Sequence, residues 1–310
     1  MTLLTTPFTA RSTASEVLAG VRLDGQRMIV TGGASGLGAA TVRALATAGA
    51  AVTIATRDPA SGAALAAEIP GVTTAALDLA DPASVRSFIS QWQGPLHALV
   101  ANAGVMALPT RQLNPAGWEL QLATNFLGHF QLAHGLHAHL RAAHGARVVV
   151  VSSGAQLRSP VDFDDLHFER RPYDPWVAYA QSKTAAALLA VGVSRHWAGE
   201  GITANALNPG YIHTKLQRHV PPAAMRAMGG MDEDGHLLTP DYYKTPEQGA
   251  ATSVLLAGSP LLAGVSGHYF ADNQEADVVP GGPDATHGVA RWSVDPTAAD
   301  RLWALALQTL

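Results

Sequence analysis

Short runs rich in β-branched residues alternate along this chain with longer segments rich in Ala and Leu. The predicted strands cover residues 27–31, 51–56, 72–77, 97–102, 146–152, 201–207 and 266–270. The predicted helices cover residues 37–49, 81–92, 118–144 and 177–199, with Asp81 as a start signal and Gly199 as a stop signal. Because the strands are almost continuously apolar, we expect them to be parallel and buried on both faces. The pattern predicts a single-domain α/β fold, a Rossmann-type doubly wound parallel sheet of about seven strands with helices on both faces.

Composition agrees with this fold and excludes several classes of protein. The 310 residues are 47% hydrophobic and 14% charged, which is enough apolar sequence for a sizeable core. The net charge of −4 argues against a nucleic-acid partner. The absence of cysteine excludes disulfides and thiolate chemistry and fits a reducing compartment. No secretory-signal pattern or membrane-spanning stretch is recognisable, so we expect a cytoplasmic protein.

Two stretches interrupt the alternation, residues 158–176 and residues 215–246. Both are predicted to be loops or short helices over the carboxyl edge of the sheet, where doubly wound folds bind ligands. We expect residues 1–24 to form a lead-in, residues 25–275 the dinucleotide-binding catalytic domain, and residues 276–310 an extension with an amphipathic helix. That last helix could pack on a partner subunit or cover the core.

The first predicted strand runs directly into a glycine-rich turn. Gly32, Gly36 and Gly38 follow that strand and open the next helix. Glycine permits a tight turn and lets backbone N–H groups approach a pyrophosphate, whose charge is favoured at a helix N-terminus. Ordinary turns are also rich in glycine, but the strand before and the helix after favour a dinucleotide site.

The turn resembles the T-G-x-x-x-G-x-G motif of the short-chain dehydrogenase/reductase family, classical type. Further family motifs follow in order between about residue 25 and residue 272. They are "LDLAD" with Asp78, "ANAG" with Asn102 to Gly104, "TNFLGHF" with Asn125, "VVVVSSG" with Ser153, "YAQSK" with Tyr179 and Lys183, and "NPGYIHT" with Pro209, Gly210 and Thr214. The lead-in and the long segment before Tyr179 are most similar to the retinol-dehydrogenase-like branch.

This resemblance implies a nicotinamide dinucleotide cofactor. Asp78 and Leu79 are implied to hold the adenine, and the backbone of residues 102–104 to pack beside the adenine ribose. Thr214 is implied to touch the carboxamide. The full implied set is Gly32, Ser35, Gly36, Leu37, Gly38, Arg57, Asp78, Leu79, Asn102, Ala103, Gly104, Tyr179, Lys183, Pro209, Gly210 and Thr214.

The end of the second predicted strand favours NADP over NAD. Thr56 stands where NAD enzymes of this class often carry a carboxylate, and Arg57 follows it. A guanidinium can bind a 2′-phosphate through two hydrogen bonds, whereas a carboxylate would repel it. NAD stays open, because Asp58 could turn toward the ribose and Arg57 could be a solvated loop charge.

Tyr179 stands one helical turn before Lys183, one of only three lysines in the chain. Residues i and i+4 share one face of a helix, so the two side chains should be neighbours. A nearby ammonium favours a phenolate and should lower the pKa of the Tyr179 phenol toward neutrality. Lysine can also reach ribose hydroxyls, for which the broad guanidinium of arginine is a worse fit. Alone, such a pair would be an ordinary surface contact; after the dinucleotide motif it predicts a catalytic base.

We expect hydride transfer between nicotinamide and an alcohol or carbonyl carbon, with Tyr179 exchanging the proton on oxygen. Ser153, at the end of the fifth strand, would hold that oxygen, and Ser152 is the competing choice. The resemblance implies that Asn125, a poor helix former inside a predicted helix, supports a water linking Lys183 to solvent. The stretch between Ser153 and Tyr179 is longer than usual in the family, a departure that bears on the shape of the pocket.

The predicted substrate is a small lipophilic alcohol or carbonyl compound, such as a retinoid, steroid, terpenoid or polyketide-like molecule. The two interrupting stretches should line its pocket with Trp176, Tyr211, Leu216, Val220, Met225 and Met228. A homodimer or homotetramer is expected. The alternative function is a non-catalytic nucleotide sensor or assembly protein on the same fold, which would be expected to lose the Tyr179–Lys183 pair.

Two polar clusters are interpreted without a metal. One predicted helix carries His129, His134, His137, His139 and His144. No face of that helix collects three imidazoles with a carboxylate, so a surface or subunit-interface face is favoured over zinc. Asp162, Asp164 and Asp165 lack the spacing and glycine of a calcium loop and are interpreted as a solvated loop.

Overall fold

Eight strands form the central sheet of the computed structural model, which describes residues 3–310. They are β1 (Arg27–Thr31), β2 (Ala51–Thr56), β3 (Val72–Ala76), β4 (Ala98–Ala101), β5 (Ala146–Val151), β6 (Ile202–Asn208), β7 (Tyr269–Ala271) and β8 (Gln274–Glu275). Their order is β3-β2-β1-β4-β5-β6-β7-β8, and only β8 is antiparallel to its neighbour. The predicted fold class is confirmed. The sheet exceeds the expected seven strands because the chain turns back after β7 into the short β8.

Helices cover both faces of this sheet. They are α1 (Ala14–Val17), α2 (Gly36–Thr47), α3 (Ala63–Glu68), α4 (Pro82–Gln91), α5 (Leu120–Leu122), α6 (Gly128–Gly135), α7 (His137–Arg141), α8 (Pro175–His196), α9 (Pro222–Ala227), α10 (Pro246–Gly258) and α11 (Pro296–Leu307). One apolar layer joins the sheet to α1, α2 and α10, and the other joins it to α4, α6, α8 and α11. Outside the main sheet, Val278–Val279 (β9) and Val289–Ala290 (β10) pair in parallel.

Local signals predicted several helix ends correctly. Asp81 caps α4, because its side chain accepts a hydrogen bond from the Ala83 N–H. Helix α8 begins slightly earlier than predicted, at a proline that follows the capping Asp174, and ends just before a turn in which Gly199 has φ +82°. Helix α10 was missed. Its nine residues from Gly249 to Ala257 are buried without interruption, so it shows no amphipathic period.

The predicted continuous helix over residues 118–144 is wrong. Helix α5 passes into a π-helical turn at Ala123–Leu127, and α6 and α7 are separated at Leu136. Close packing accompanies the change of helix type, since a Cβ at Gly128 would lie 2.2 Å from the backbone oxygen of Leu79. Such π turns are frequent at functional sites, and this one carries Asn125.

Helix α11 covers the core of this chain. The Trp303 ring lies edge-on to Phe130, with ring centroids 4.9 Å apart, and 5.6 Å from the Trp197 ring. The structure thus favours the second of the two roles considered for the C-terminal helix. Among residues 3–310, no helix combines the length and apolar character needed to cross a membrane.

Candidate active site

The site lies where the strand order reverses, beside the carboxyl ends of β1 and β4. From β1 the chain proceeds outward to β2 and β3, and then crosses back to β4 on the other side of β1. Helices leave neighbouring strands in opposite directions at such a switch point and open a crevice. A cavity of about 820 Å³ lies here, lined by residues at the ends of β2, β5 and β6 and by the loops that follow all six strands β1–β6.

The turn between β1 and α2 forms one wall of this cavity. A Cβ at Gly38 would lie 2.3 Å from the Gly32 backbone oxygen, so the turn requires glycine there. Gly36 has φ +52°, and a Cβ on it would lie 3.1 Å from Thr214 Cγ2. Ser35 is the N-cap of α2, and its side chain makes no capping hydrogen bond. The exposed start of α2 and the tight backbone fit the pyrophosphate of a dinucleotide.

Most residues implied to bind the cofactor line this one cavity. They are Gly32, Ser35, Leu37, Gly38, Arg57, Asp78, Leu79, Asn102, Ala103, Gly104, Tyr179, Lys183, Pro209, Gly210 and Thr214. Gly36 is not among the lining residues, and its place is in the backbone of the glycine turn. Asn125, 2% exposed, lies behind the wall. The geometry brings the implied set together at one site.

Tyr179 and Lys183 lie side by side on the buried face of α8. The Lys183 Nζ atom is 5.7 Å from the centroid of the Tyr179 ring and donates a hydrogen bond to the Val151 backbone oxygen at 3.0 Å. Both side chains are almost fully buried, yet both reach the cavity wall. Tyr179 and Lys183 are therefore a buried pair at the cavity wall, and the alternative of an ordinary surface contact is wrong.

Ser152 and Ser153 occupy different positions. The Ser152 hydroxyl donates to the Lys183 backbone oxygen at 2.7 Å, which ties β5 to α8. The Ser153 hydroxyl accepts a hydrogen bond from the Ala155 N–H at 3.2 Å and hydrogen-bonds with the Tyr179 phenol. The family-based choice of Ser153 as the hydroxyl near the reacting oxygen agrees with this arrangement.

The charge states of the pair differ from the sequence-based expectation. Burial raises the pKa of the Tyr179 phenol to about 12, and the hydrogen bond with Ser153 only partly opposes this. Burial also lowers the pKa of the Lys183 ammonium to about 8. The expected fall in the Tyr179 pKa is wrong for this geometry, because desolvation of the phenolate outweighs the nearby ammonium, which hydrogen-bonds to Val151.

Asn125 holds the loop after β4 against α8. Its side-chain oxygen accepts from the Val105 N–H at 2.9 Å, and its amide donates to the Val105 oxygen at 2.9 Å and to the Ser182 hydroxyl at 2.8 Å. The Ser182 hydroxyl donates in turn to the Tyr179 backbone oxygen at 2.7 Å. The Asn125 side chain thus links the loop after β4 to helix α8.

Two guanidinium groups approach each other at the end of the cavity beyond β2. Arg57 and Arg218 both line the cavity, and the charge of Arg57 adds to burial in lowering the pKa of Arg218. Asp58 caps the following turn by accepting from the Ala60 N–H at 3.0 Å. Sequence reasoning missed Arg218, because nothing local connects residue 218 to residue 57.

Only some of the residues predicted to line the substrate end of the cavity do so. Trp176, Tyr211, Leu216 and Met228 line it as expected. Val220 and Met225 do not, and the prediction for them is wrong: they are buried in a cluster with Met106, Ala107 and Tyr179. Ala285 and Thr286, from the C-terminal extension, line the cavity instead. No local signal marks them.

The long stretch before Tyr179 contributes only its two ends, Arg158 and Trp176, to the cavity. Its middle folds on itself. The predicted loop is present and Asp164 is exposed, but the Asp165 carboxylate accepts hydrogen bonds from the N–H groups of Glu169, Arg170 and Arg171, which order the loop around it.

The histidines between residues 129 and 144 do not share one helix face. His129 is 1% exposed, so the surface interpretation is wrong for it. His137 stacks on Trp197 with ring centroids 4.4 Å apart and approaches Glu200 at 3.0 Å, while His139 pairs with the Gly94 backbone oxygen at 2.9 Å. The break between α6 and α7 sends these imidazoles to different neighbours.

Comparison with known proteins agrees with the site. The short chain dehydrogenase family profile matches residues 26–224. A probable oxidoreductase of Streptomyces antibioticus is 64% identical over 93% of this chain and 98% of its own length. Polyprenol dehydrogenase of Mus musculus is 38% identical over 92% of this chain and 83% of its own length. Retinol dehydrogenase 13 of Homo sapiens is 36% identical over 91% of this chain and 83% of its own length.

Solved structures show the same architecture. An uncharacterised protein from Mycobacterium Paratuberculosis superimposes with a TM-score of 0.74 at 33% identity, covering 96% of this chain and 97% of that one. The RhlG/NADP active-site complex of Pseudomonas aeruginosa gives a TM-score of 0.62 at 26% identity, covering 81% of this chain and 96% of that one. The chain therefore belongs to the short-chain dehydrogenase/reductase family, in its retinol-dehydrogenase-like branch, and is an oxidoreductase that acts on CH–OH groups with a nicotinamide cofactor.

Proposed function

We propose that this protein transfers a hydride between NADP(H) and a carbon bearing an alcohol or carbonyl on a lipophilic substrate, with Tyr179 as general acid and base. One observation carries the proposal. The Tyr179 phenol, the Ser153 hydroxyl and the Lys183 ammonium meet in the same cavity that the glycine turn lines. When bound, the nicotinamide supplies the hydride donor or acceptor, and its oxidised ring carries a positive charge.

The protein side of the reaction follows from burial and hydrogen bonding. Ser153 and Tyr179 both present hydroxyls to the reacting oxygen, so developing negative charge there meets two donors. In the reduction direction the phenol, whose pKa of about 12 keeps it protonated, donates its proton to that oxygen. In the oxidation direction the Tyr179 phenolate oxygen takes the proton from the substrate hydroxyl, and positive charge beside the phenol is what makes that phenolate accessible.

Lys183 is proposed to contribute charge and position. Its ammonium lies beside the Tyr179 ring and has donors beyond the one used by Val151, which can bind ribose hydroxyls of the cofactor. Because burial holds its pKa near 8, the lysine is poised to pass a proton at neutral pH. Asn125 supports this arrangement by fixing Val105 and the backbone of α8.

The preference for NADP is supported by charge at the adenosine end. Arg57 and Arg218 line the cavity there, and no ion pair joins either guanidinium to a carboxylate within residues 3–310. Asp58, the residue that could have bound a ribose hydroxyl, has one carboxylate oxygen engaged as a cap. Two guanidiniums with donors to spare suit the dianionic 2′-phosphate. The RhlG structure was also solved with NADP.

A lipophilic substrate is supported by the other end of the cavity. Trp176, Leu216 and Met228 present apolar surface there, and Tyr243 and Met106 extend it. A polyprenol dehydrogenase and a retinol dehydrogenase are among the relatives, and their names refer to lipophilic alcohols.

The deciding experiment is an assay of nicotinamide absorbance across a panel of lipophilic alcohols and carbonyl compounds, with NADP(H) and NAD(H) in parallel. We expect turnover with members of the panel and a higher kcat/KM with the phosphorylated cofactor. Equal or better use of NAD(H) would contradict the cofactor assignment, and turnover confined to small polar polyols would contradict the substrate class.

A further inference from the structure

His129 is a buried imidazole that joins three parts of the site. It lies on α6, one turn after Asn125, and its side chain reaches the end of β1. The Nε2 atom is 2.9 Å from the Thr31 hydroxyl, and the Nδ1 atom is 3.2 Å from the Asn125 backbone oxygen. The histidine thus connects the start of the glycine turn to the π turn.

The bonding of Thr31 decides which nitrogen of His129 carries the proton. The Thr31 hydroxyl oxygen accepts hydrogen bonds from the N–H groups of Asn102 and Ala103, each at 2.9 Å. Both lone pairs of that oxygen are therefore in use, and its own hydrogen must be donated. The nearest acceptor is His129 Nε2, since the Val100 oxygen is more distant at 3.4 Å. With Nε2 as an acceptor, a neutral imidazole carries its hydrogen on Nδ1, where the Asn125 oxygen accepts it.

A second observation agrees with a neutral ring. Burial lowers the pKa of His129 to about 4, and the positive charge of Lys183 adds to this effect. A doubly protonated ring would also direct an N–H at the Thr31 oxygen, whose lone pairs are already occupied. Geometry and environment therefore indicate the same single tautomer.

We infer that His129 is a positioning residue. As the neutral Nδ1–H tautomer, it joins the Asn125 backbone carbonyl to the Thr31 hydroxyl at the end of β1. It thereby fixes the loop after β4, which lines the cofactor cavity, relative to helix α8, which carries Tyr179. On one side, Thr31 holds the N–H groups of Asn102 and Ala103, which line the cofactor cavity. On the other side, the Asn125 side chain holds Ser182, whose hydroxyl donates to the Tyr179 backbone oxygen.

The same bond gives a carbonyl of the π turn a donor from a side chain. Widening the helix disturbs the usual pairing of backbone groups, and a buried carbonyl without a donor is costly. His129 supplies a donor to the Asn125 carbonyl from its side chain. The inference rests on the proposed roles of Tyr179 and Asn125, and it adds a residue that touches neither substrate nor cofactor.

Two amide substitutions separate the two bonds. The amide nitrogen of Asn can take the place of Nδ1, so His129→Asn keeps the donor to Asn125 and loses the acceptor for Thr31. The longer Gln places its amide near Nε2, so His129→Gln keeps the bond to Thr31 and loses the donor to Asn125. His129→Phe keeps a ring and loses both. His134→Asn, on the same helix, is the matched control.

The two amides should affect different kinetic constants. We expect His129→Gln to lower kcat by about 10- to 100-fold with little change in the cofactor KM, the scale of leaving a buried polar group unpaired. We expect His129→Asn to raise the cofactor KM by about tenfold and to retain most of kcat. His129→Phe should combine both losses, and His134→Asn should change neither constant.

Equal losses for all three variants, accompanied by lower thermal stability and fewer active sites, would mean that His129 only fills space and would overturn the inference. Where a variant fails to fold, the unaltered protein decides the question. In nitrogen-15 NMR of histidine-labelled protein, the assigned His129 signal should show a hydrogen on Nδ1 and no titration between pH 8 and pH 5.5. Titration of the His129 ring, or a hydrogen on its Nε2 atom, overturns the inference.

Failure of this inference can be told apart from failure of the proposed function. Loss of turnover in Tyr179→Phe together with wild-type kinetics in His129→Gln would remove only the role of His129. Turnover retained in Tyr179→Phe would remove the proposed function whatever the histidine variants do.

Discussion

The two ends of the active-site cavity are built by different means. The cofactor end is formed by turns at the carboxyl ends of strands, with Gly32, Asn102 and Pro209 among the residues of its wall. The substrate end is formed by side chains from three segments far apart in sequence, with Trp176, Met228 and Thr286 as examples. The first end depends on backbone geometry that short motifs encode, and the second on tertiary packing. This difference explains why the chemistry and cofactor class are readable from the sequence while the substrate is not.

The largest effects should come from the cofactor end, first from filling the glycine turn. A Cβ in Gly38→Ala would lie 2.3 Å from the Gly32 backbone oxygen and 2.7 Å from Asn102 Nδ2, so the turn must open. Forcing such an overlap typically costs 1–3 kcal/mol, and we expect cofactor affinity to fall by about 10- to 100-fold. Fluorescence titration of NADPH measures this.

Gly25→Ala is the control for the glycine turn. Gly25 has φ +77°, but an added Cβ there meets no atom within 4 Å, so stability should fall slightly while cofactor affinity stays unchanged. Unchanged NADPH affinity in Gly38→Ala would show that the turn is not the rigid wall of the cofactor end.

The next effect should distinguish the two cofactors. Arg57→Ala removes a guanidinium from the adenosine end and should weaken NADPH binding by about 1.5–3 kcal/mol, the scale of hydrogen bonds to charged groups. Arg218→Ala should weaken it less, by roughly threefold to tenfold, because Arg218 is an exposed side chain on the turn after β6, whereas Arg57 directly follows β2. NADH binding should change little in either variant. Equal losses for NADPH and NADH would mean that the guanidiniums contact a phosphate common to both cofactors.

A smaller effect should appear with pH. The buried ammonium of Lys183 has a pKa lowered to about 8, so its charge is present below pH 8 and is lost above it. If that ammonium binds the ribose, NADPH affinity should fall several-fold as pH rises from about 7 to about 9. The Tyr179 phenol, with its pKa near 12, stays protonated across this range. Lys183→Met should bind weakly at both pH values, and a wild-type affinity independent of pH would remove Lys183 from the ribose site.

An effect as small as that of pH should come from the substrate end. Trp176 lines the cavity with 37% of its surface exposed, so Trp176→Ala should raise the KM of a bulky lipophilic alcohol by only about threefold to tenfold. Cofactor affinity should not change. Leu261→Ala, an exposed apolar residue outside the cavity lining, is the control and should alter neither value. A loss of cofactor affinity in Trp176→Ala would contradict the separation of the two ends.

Much of the fold and of the cofactor end was predictable because its signals are local. The strand–glycine–helix sequence, the Asp81 cap and the i, i+4 pair of Tyr179 and Lys183 each act over one turn of chain. What was missed depends on distant partners. Arg218 matters because of Arg57, and the interruption of helix 118–144 accompanies the packing of Gly128 against Leu79.

The pKa of Tyr179 is a second case in which a local sequence pattern could not predict the effect of tertiary structure. The spacing from Lys183 predicts a lowered value, but the depth of burial, which the spacing does not encode, raises it to about 12. Similarly, Val220 and Met225 are apolar as a substrate pocket requires, yet they pack into the wall behind it. Residue type was readable in these cases, and the direction in which each side chain points was not.

The central claim is that Tyr179 performs the proton transfer at a site whose cofactor end is already complete without its hydroxyl. The most direct measurement compares Tyr179→Phe with the unaltered protein in two assays, NADPH affinity by fluorescence and single-turnover reduction of a lipophilic carbonyl substrate. We predict affinity within about threefold of the unaltered protein and a rate lower by about 10²- to 10⁴-fold, the usual contribution of a general acid. A single-turnover rate within a few-fold of the unaltered protein would contradict the account.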